Sequence, residues 1–152
     1  MVAEKKGGVS GINYGVLNEL AGFRLRRAQL VAYGFSSEGF SSFGITPGLF
    51  GVLEIVRKNP GLTQTAVGQA LGSDRSAMVS AIDKLEKRNL IKRSHTGFDR
   101  RSYALYLTCD GEEFVAKAEK SFRESNSDFL SVLSFEECEL LFDFLERLTR
   151  VE

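Results

Sequence analysis

The sequence predicts a mainly α-helical chain that carries one small β-hairpin. Three observations predict it. Helix start signals recur along the chain at Thr46-Pro47, Ser73-Asp74, Thr108 and Ser134-Phe135-Glu136-Glu137. The apolar residues that follow them recur at helical spacing, as Met78, Ile82 and Leu85 do. Only two short runs, LIKRS and YALYLT, read as strands, and they flank the polar stretch HTGFDRRSY.

The elements follow in order. Residues 1–12 read as a mobile tail, because MVAEKKGGVSG has neither helical spacing nor the apolar core of a secretory signal. Asn13 can cap a first helix. One apolar stripe runs through Tyr14, Leu17, Ala21, Leu25, Ala28, Ala32 and Phe35, and a second through Val16, Leu20, Phe23, Leu30 and Val31. A helix that is apolar on two faces needs more than one neighbour, which points to a partner subunit. Gly44 breaks the pattern, and Thr46-Pro47 opens a second helix that ends near Asn59-Pro60-Gly61. A short helix follows, capped by Thr63 or Thr65 and stopped by Gly72. The next helix is capped by Ser73 or Asp74, turns its Met78, Ile82 and Leu85 inward, and ends at Asn89 in a left-handed turn. After the hairpin, Thr108 caps a long helix whose first turn holds Asp110, Glu112 and Glu113, matched to the positive helix end. The Ser134–Glu137 capping box opens a last helix to about Arg150.

The composition narrows the function. The 152 residues suffice for one domain, and 43% of them are apolar. No run of about 18 apolar residues is present, so no membrane span is expected. Two cysteines, Cys109 and Cys138, have neither a disulfide framework nor zinc spacing. His95 is the one histidine, and Glu112 and Glu113 point to different sides of a helix, so neither a metal site nor a catalytic pair is expected. These facts favour a cytoplasmic protein without cofactor, metal or enzymatic activity. The net charge is zero but unevenly spread. Residues 74–109 carry eight Lys/Arg against four Asp/Glu, whereas residues 110–152 carry five against twelve. The basic middle can face a polyanion; the acidic end cannot.

A short helix, a tight turn, a second helix and a hairpin make a winged helix-turn-helix, and that architecture suits duplex DNA. The second helix can enter the major groove with its N-terminal residues toward the bases. With Met78, Ile82 and Leu85 inward, Arg75, Ser76, Val79, Ser80 and Asp83 are left on the other faces. Arg75 can donate two hydrogen bonds to a guanine edge, worth roughly 1–3 kcal/mol of discrimination. Ser76 and Ser80 can bond bases or phosphates, and Val79 can meet a thymine methyl. Thr63 and Gln64, at the start of the preceding helix, complete the contact set. At the hairpin tip, Arg101 can enter the minor groove, Asp99 can hold its guanidinium in place, and Arg100 can meet a phosphate.

The stretches GITPGLFGVLEIV, NPGLTQTAVGQALG, SDRSAMVSAIDKLEKRNLIKR and DRRSYALYLT resemble the MarR family of winged-helix transcription regulators, with its Asp-x-Arg wing signature at Asp99 and Arg101. Asn89 stands where a glycine is usual, and Cys109 where proline is common. The resemblance implies a homodimer in which the first helix (residues 13–45) and the last two (residues 108–152) interlock, with residues 46–107 as the DNA-binding region. It implies a pseudo-palindromic operator, repression by covering a promoter, and release by a small molecule. LRRAQ with DRSAMV further resembles a subgroup that controls aromatic-acid catabolism and senses either the acid or its coenzyme A thioester. Phe23, Phe43 and Phe50, with Phe35 and Phe40, are then candidates for an aromatic-lined cavity, and Arg26 or Arg27 for pairing with a carboxylate or phosphate. Phenylalanines at such spacing are more often core than pocket, and paired arginines are usually solvated or hold a helix bundle. Two other readings stand beside this one: a cysteine-based redox sensor acting through Cys109 at a helix N-terminus, and a winged helix that binds protein rather than DNA.

Overall fold

The computed structural model describes residues 11–95 and 103–150. A 3₁₀ turn, Gly15–Glu19, precedes six α-helices and one hairpin. The helices are α1 (Ala21–Ser42), α2 (Pro47–Lys58), α3 (Gln64–Ala70), α4 (Arg75–Lys87), α5 (Cys109–Leu130) and α6 (Phe135–Thr149). The strands β1 (Ile91–His95) and β2 (Tyr103–Leu107) lie between α4 and α5. The expected fold class, mainly α with a hairpin wing beside a helix-turn-helix, is the one observed.

The caps are made by short polar side chains. Thr46, Thr63, Asp74, Thr108 and Ser134 each accept a hydrogen bond from the backbone N–H three residues on, and Ser134 with Glu137 forms the reciprocal box. Asn89 takes φ 56° after α4, the left-handed conformation that asparagine tolerates better than most residues. The first helix departs from expectation. Asn13 does not open one continuous helix. Its Oδ1 accepts the Gly15 N–H at 2.9 Å, a 3₁₀ turn follows, and Leu20 is extended at ψ 116° before α1 begins. The apolar periodicity runs unbroken across this joint, so spacing alone does not reveal it.

The core gathers where α2, α3, α4, the hairpin and α5 meet. Leu53, Val56, Val67, Ile82, Leu85, Leu105 and Val115 are fully buried, and Ile91 is nearly so. Each contributes about 1.5–3 kcal/mol through burial. The strands pair antiparallel from Ile91↔Leu107 to His95↔Tyr103, and Thr63 bridges to Ala104, tying the start of α3 to β2. The junction of the hairpin with α5 is tight. A Cβ on Gly111 would lie 2.1 Å from the Leu90 carbonyl oxygen, while the Thr108 hydroxyl donates to the Asn89 carbonyl at 2.5 Å. By contrast, α6 buries no residue, and Leu25, Leu30 and Val31 of α1 are exposed.

Candidate nucleic-acid interface and neighbouring cavity

The exposed face of α4 is built at its N-terminus. Asp74 Oδ1 accepts from the Ala77 N–H at 2.9 Å and from the Ser76 hydroxyl at 2.6 Å. The Ser76 hydroxyl and then the Ala77 amide hold the Asp74 carboxyl below its ordinary range. Arg75, Ser76, Val79 and Ser80 are all exposed, while Met78 and Ile82 lie in the core. Ser76 Oγ therefore spends its proton on the cap and is left as an acceptor. Thr63 and Gln64 are half-buried at the start of α3, and Gln64 and Arg75 line one shallow cleft between α3 and α4. Asp99, Arg100 and Arg101 lie outside the described residues. The base of the wing ends with His95 against Tyr103, ring centroids 4.6 Å apart.

One arginine ties the wing to α4. Arg93 donates to Asp83 at 2.6 Å and also pairs with Glu86. Its burial is opposed and outweighed by these carboxylates, which raise its pKa and keep it charged. It thereby neutralises the two acids of α4 nearest the hairpin. Arg93 was not among the sequence candidates. Its signal was its phase: in β1 it shares the inward face with Ile91.

A cavity of about 310 Å³ opens between α1, the start of α2 and the distal half of α5. Phe40, Phe122, Phe129 and Tyr33 give it aromatic walls, and Gln29, Ser36, Ser125 and Asn126 supply its polar groups. Every one of these groups is neutral. Beneath it lies an aromatic cluster in which Phe122 stands 4.0 Å from Phe40, 4.3 Å from Phe50 and 5.9 Å from Phe43. Of the sequence candidates, Phe40 lines the cavity, whereas Phe43 and Phe50 come together in the cluster beneath it. Phe23 packs on Tyr14 at 5.6 Å, and Arg27 lies 5.0 Å above the Tyr14 ring. This pair sits at the opposite end of α1, about 30 Å from Phe43 along the helix. Arg26 is exposed one turn before Gln29 on the same face. Phe122, Ser125, Asn126 and Phe129 were missed because α5 reads as an ordinary amphipathic helix. Cys109 is exposed, Cys138 is half-buried, and both are free thiols.

Comparison with known proteins bears on both features. A sequence profile of the MarR family matches residues 43–102. A protein of Thauera aromatica assigned to regulation of the hcr operon is 38% identical over 130 residues, 85% of this chain and 78% of that protein. The chain belongs to the MarR family. As a MarR-type protein it is a transcriptional regulator, like these relatives. Its fold matches the transcriptional repressor CouR bound to a 23-mer DNA duplex with TM-score 0.86 and 33% identity, covering 93% of this chain and all of that one. CouR bound to p-coumaroyl-CoA matches with TM-score 0.84 and 29% identity, over 93% and 99% of the two chains. The PcaV regulator of Streptomyces coelicolor, in complex with its natural ligand, matches with TM-score 0.81 and 26% identity, over 93% and 97%. No described helix of this MarR-family chain is long and apolar enough to cross a membrane.

Proposed function

We propose that the protein is a homodimeric repressor that reads a pseudo-palindromic operator and releases it when an aromatic acyl thioester enters the cavity between α1, α2 and α5. The observation that carries the effector class is the charge of the cavity lining. Its walls are aromatic, and among the described residues none of its polar lining groups is a cation. A free aromatic acid would bring a carboxylate into this site without a charged partner, which is costly. A thioester brings a neutral carbonyl, for which Gln29, Ser36, Ser125 and Asn126 are suitable donors. Its phosphates would remain outside, where exposed Arg26 stands one turn from Gln29. The binding of p-coumaroyl-CoA by CouR supports the same class.

DNA contact is assigned to Thr63, Gln64, Arg75, Ser76, Val79 and Ser80, with Asp99, Arg100 and Arg101 at the wing. The dimer is assigned to the apolar faces left open by one chain. Leu140, Phe144 and Leu148 recur at i, i+4, i+8 on α6 and are 54%, 50% and 59% exposed. A helix of this length that buries nothing is not stable alone in water, so a second copy covering α6 and α1 accounts for both.

The test is fluorescence anisotropy of labelled DNA from upstream of the protein's own gene. Aromatic acids and their coenzyme A thioesters are then titrated into the complex. Salt-sensitive binding released by a thioester and not by its acid is expected. Release by the free acid alone would overturn the thioester assignment, and the absence of specific binding would overturn the self-operator.

A further inference from the structure

We propose that Arg88 is the positioning residue through which the effector cavity and the recognition helix α4 sense one another. This rests on the cavity reading above. Arg88 is the C-terminal cap of α4. Its guanidinium reaches across the sequence to the turn that closes α1, donating to the Gly44 carbonyl at 2.6 Å and to the Phe43 carbonyl at 3.1 Å. The planar fork makes two charge-assisted bonds at the negative end of the α1 dipole. The same group lies 5.2 Å above the Phe114 ring of α5. Three elements, α4, the α1–α2 turn and α5, therefore meet on one side chain.

The turn it holds is the floor of the aromatic cluster. The Phe43 ring stands edge-on to Phe114 at 5.8 Å and to Phe122 at 5.9 Å. Phe122 lines the cavity and touches Phe40 and Phe50. A ligand that displaces Phe122 presses on the Phe43 ring, and any part of that push that reaches the Phe43 backbone acts on the carbonyl that Arg88 holds. Gly44, at φ +59°, turns the second carbonyl toward the same guanidinium. Among the described residues, Arg88 makes the only side-chain hydrogen bonds between α4 and this turn. Coupling is reciprocal, so DNA held by α4 must bias the cavity through the same contacts.

The full-length protein, Arg88→Gln and Arg88→Lys are compared. DNA affinity is measured by anisotropy without and with saturating p-coumaroyl-CoA as the probe. The affinity of the probe for the DNA-free protein is measured by calorimetry, and folding by thermal melts. The expected result is that the probe weakens DNA binding of the parent, that this ratio falls at least five-fold in Arg88→Gln, and that probe affinity for the DNA-free protein stays within two-fold. Arg88→Lys keeps the charge but not the fork, and is expected to retain part of the ratio. An undiminished ratio in Arg88→Gln overturns the proposal and leaves coupling to the direct packing of α2 on α4. If the probe does not release DNA from the parent, the effector reading fails and a ligand-free cycle decides Arg88. Arg88→Gln is combined with Phe122→Leu, and their effects on DNA affinity are compared singly and together. Non-additivity of at least three-fold supports Arg88; a smaller value overturns it.

Discussion

Asp74 and Arg93 set the electrostatics of the recognition helix from its two ends. Asp74 caps α4, and the Ser76 hydroxyl and Ala77 amide lower its pKa from its ordinary 3.8. A depressed carboxylate contributes stability that is fully present above the unfolded-state value and is lost as pH falls through the folded-state value. Asp74→Ala is therefore expected to melt at a lower temperature than the parent at neutral pH. The gap should narrow on acidification below 3.8, as followed by circular dichroism. Asp74→Asn retains the acceptor and should lose only the pH dependence of the gap. Arg93 acts differently, because its loss uncovers two negative charges on α4 beside the wing. Arg93→Met should cost roughly 1–2 kcal/mol of stability, since Asp83 and Glu86 are themselves partly solvated. It should also weaken DNA binding more at low salt than at high salt. A loss of affinity independent of salt would mean that Arg93 sets only the angle between wing and helix.

At the scale of elements, the junction between the hairpin and α5 holds the tightest glycine among the described residues. The backbone of α5 presses on the Leu90 carbonyl at Gly111, where a methyl would sit at 2.1 Å. Because the obstacle is backbone, no side-chain rotation relieves it. Gly111→Ala is expected to destabilise by about 1–3 kcal/mol, read from chemical denaturation. An unchanged midpoint would mean that α5 can lift away from the wing. Elements were legible in the sequence where local chemistry decides them. Asp74, Thr108 and the Ser134–Glu137 box cap their helices as expected, and Met78, Ile82 and Leu85 face the core. The break at Leu20 was not legible, because apolar spacing continues across it. Arg88 was equally hidden: its acceptors lie 44 and 45 residues earlier, and nothing local marks it. The cavity was only partly legible for the same reason: Phe40 lines it as expected, but Phe122 and Phe129 of its aromatic wall lie far off in sequence. The first helix supplied plausible phenylalanines, yet the lining is completed by α5, whose Ser125 and Asn126 look like ordinary helix surface in sequence.

For the whole molecule, the acidic C-terminal stretch and the basic middle separate into two regions of opposite character. The first carries the open apolar face of α6, and the second the recognition helix. If that apolar face is the subunit interface, Phe144→Asp should yield a chain that sediments as a monomer. It should lose at least ten-fold in operator affinity, because two half-sites are no longer engaged together. Retained dimerisation would move the interface elsewhere. Affinity of the parent should fall linearly on a log–log plot against salt, with a slope counting several neutralised phosphates.

The contact at Gly111 also limits how the molecule can move. With its first turn pressed against Leu90, α5 has no room to slide lengthwise past the wing. Asn126, at the cavity, lies about 22 Å farther along the same helix. A push delivered there acts on a long arm whose pivot is the contact of Gly111 with Leu90. In the proposed dimer, a tilt of the reading head about this point would take the two copies of α4 out of register with grooves one helical turn apart.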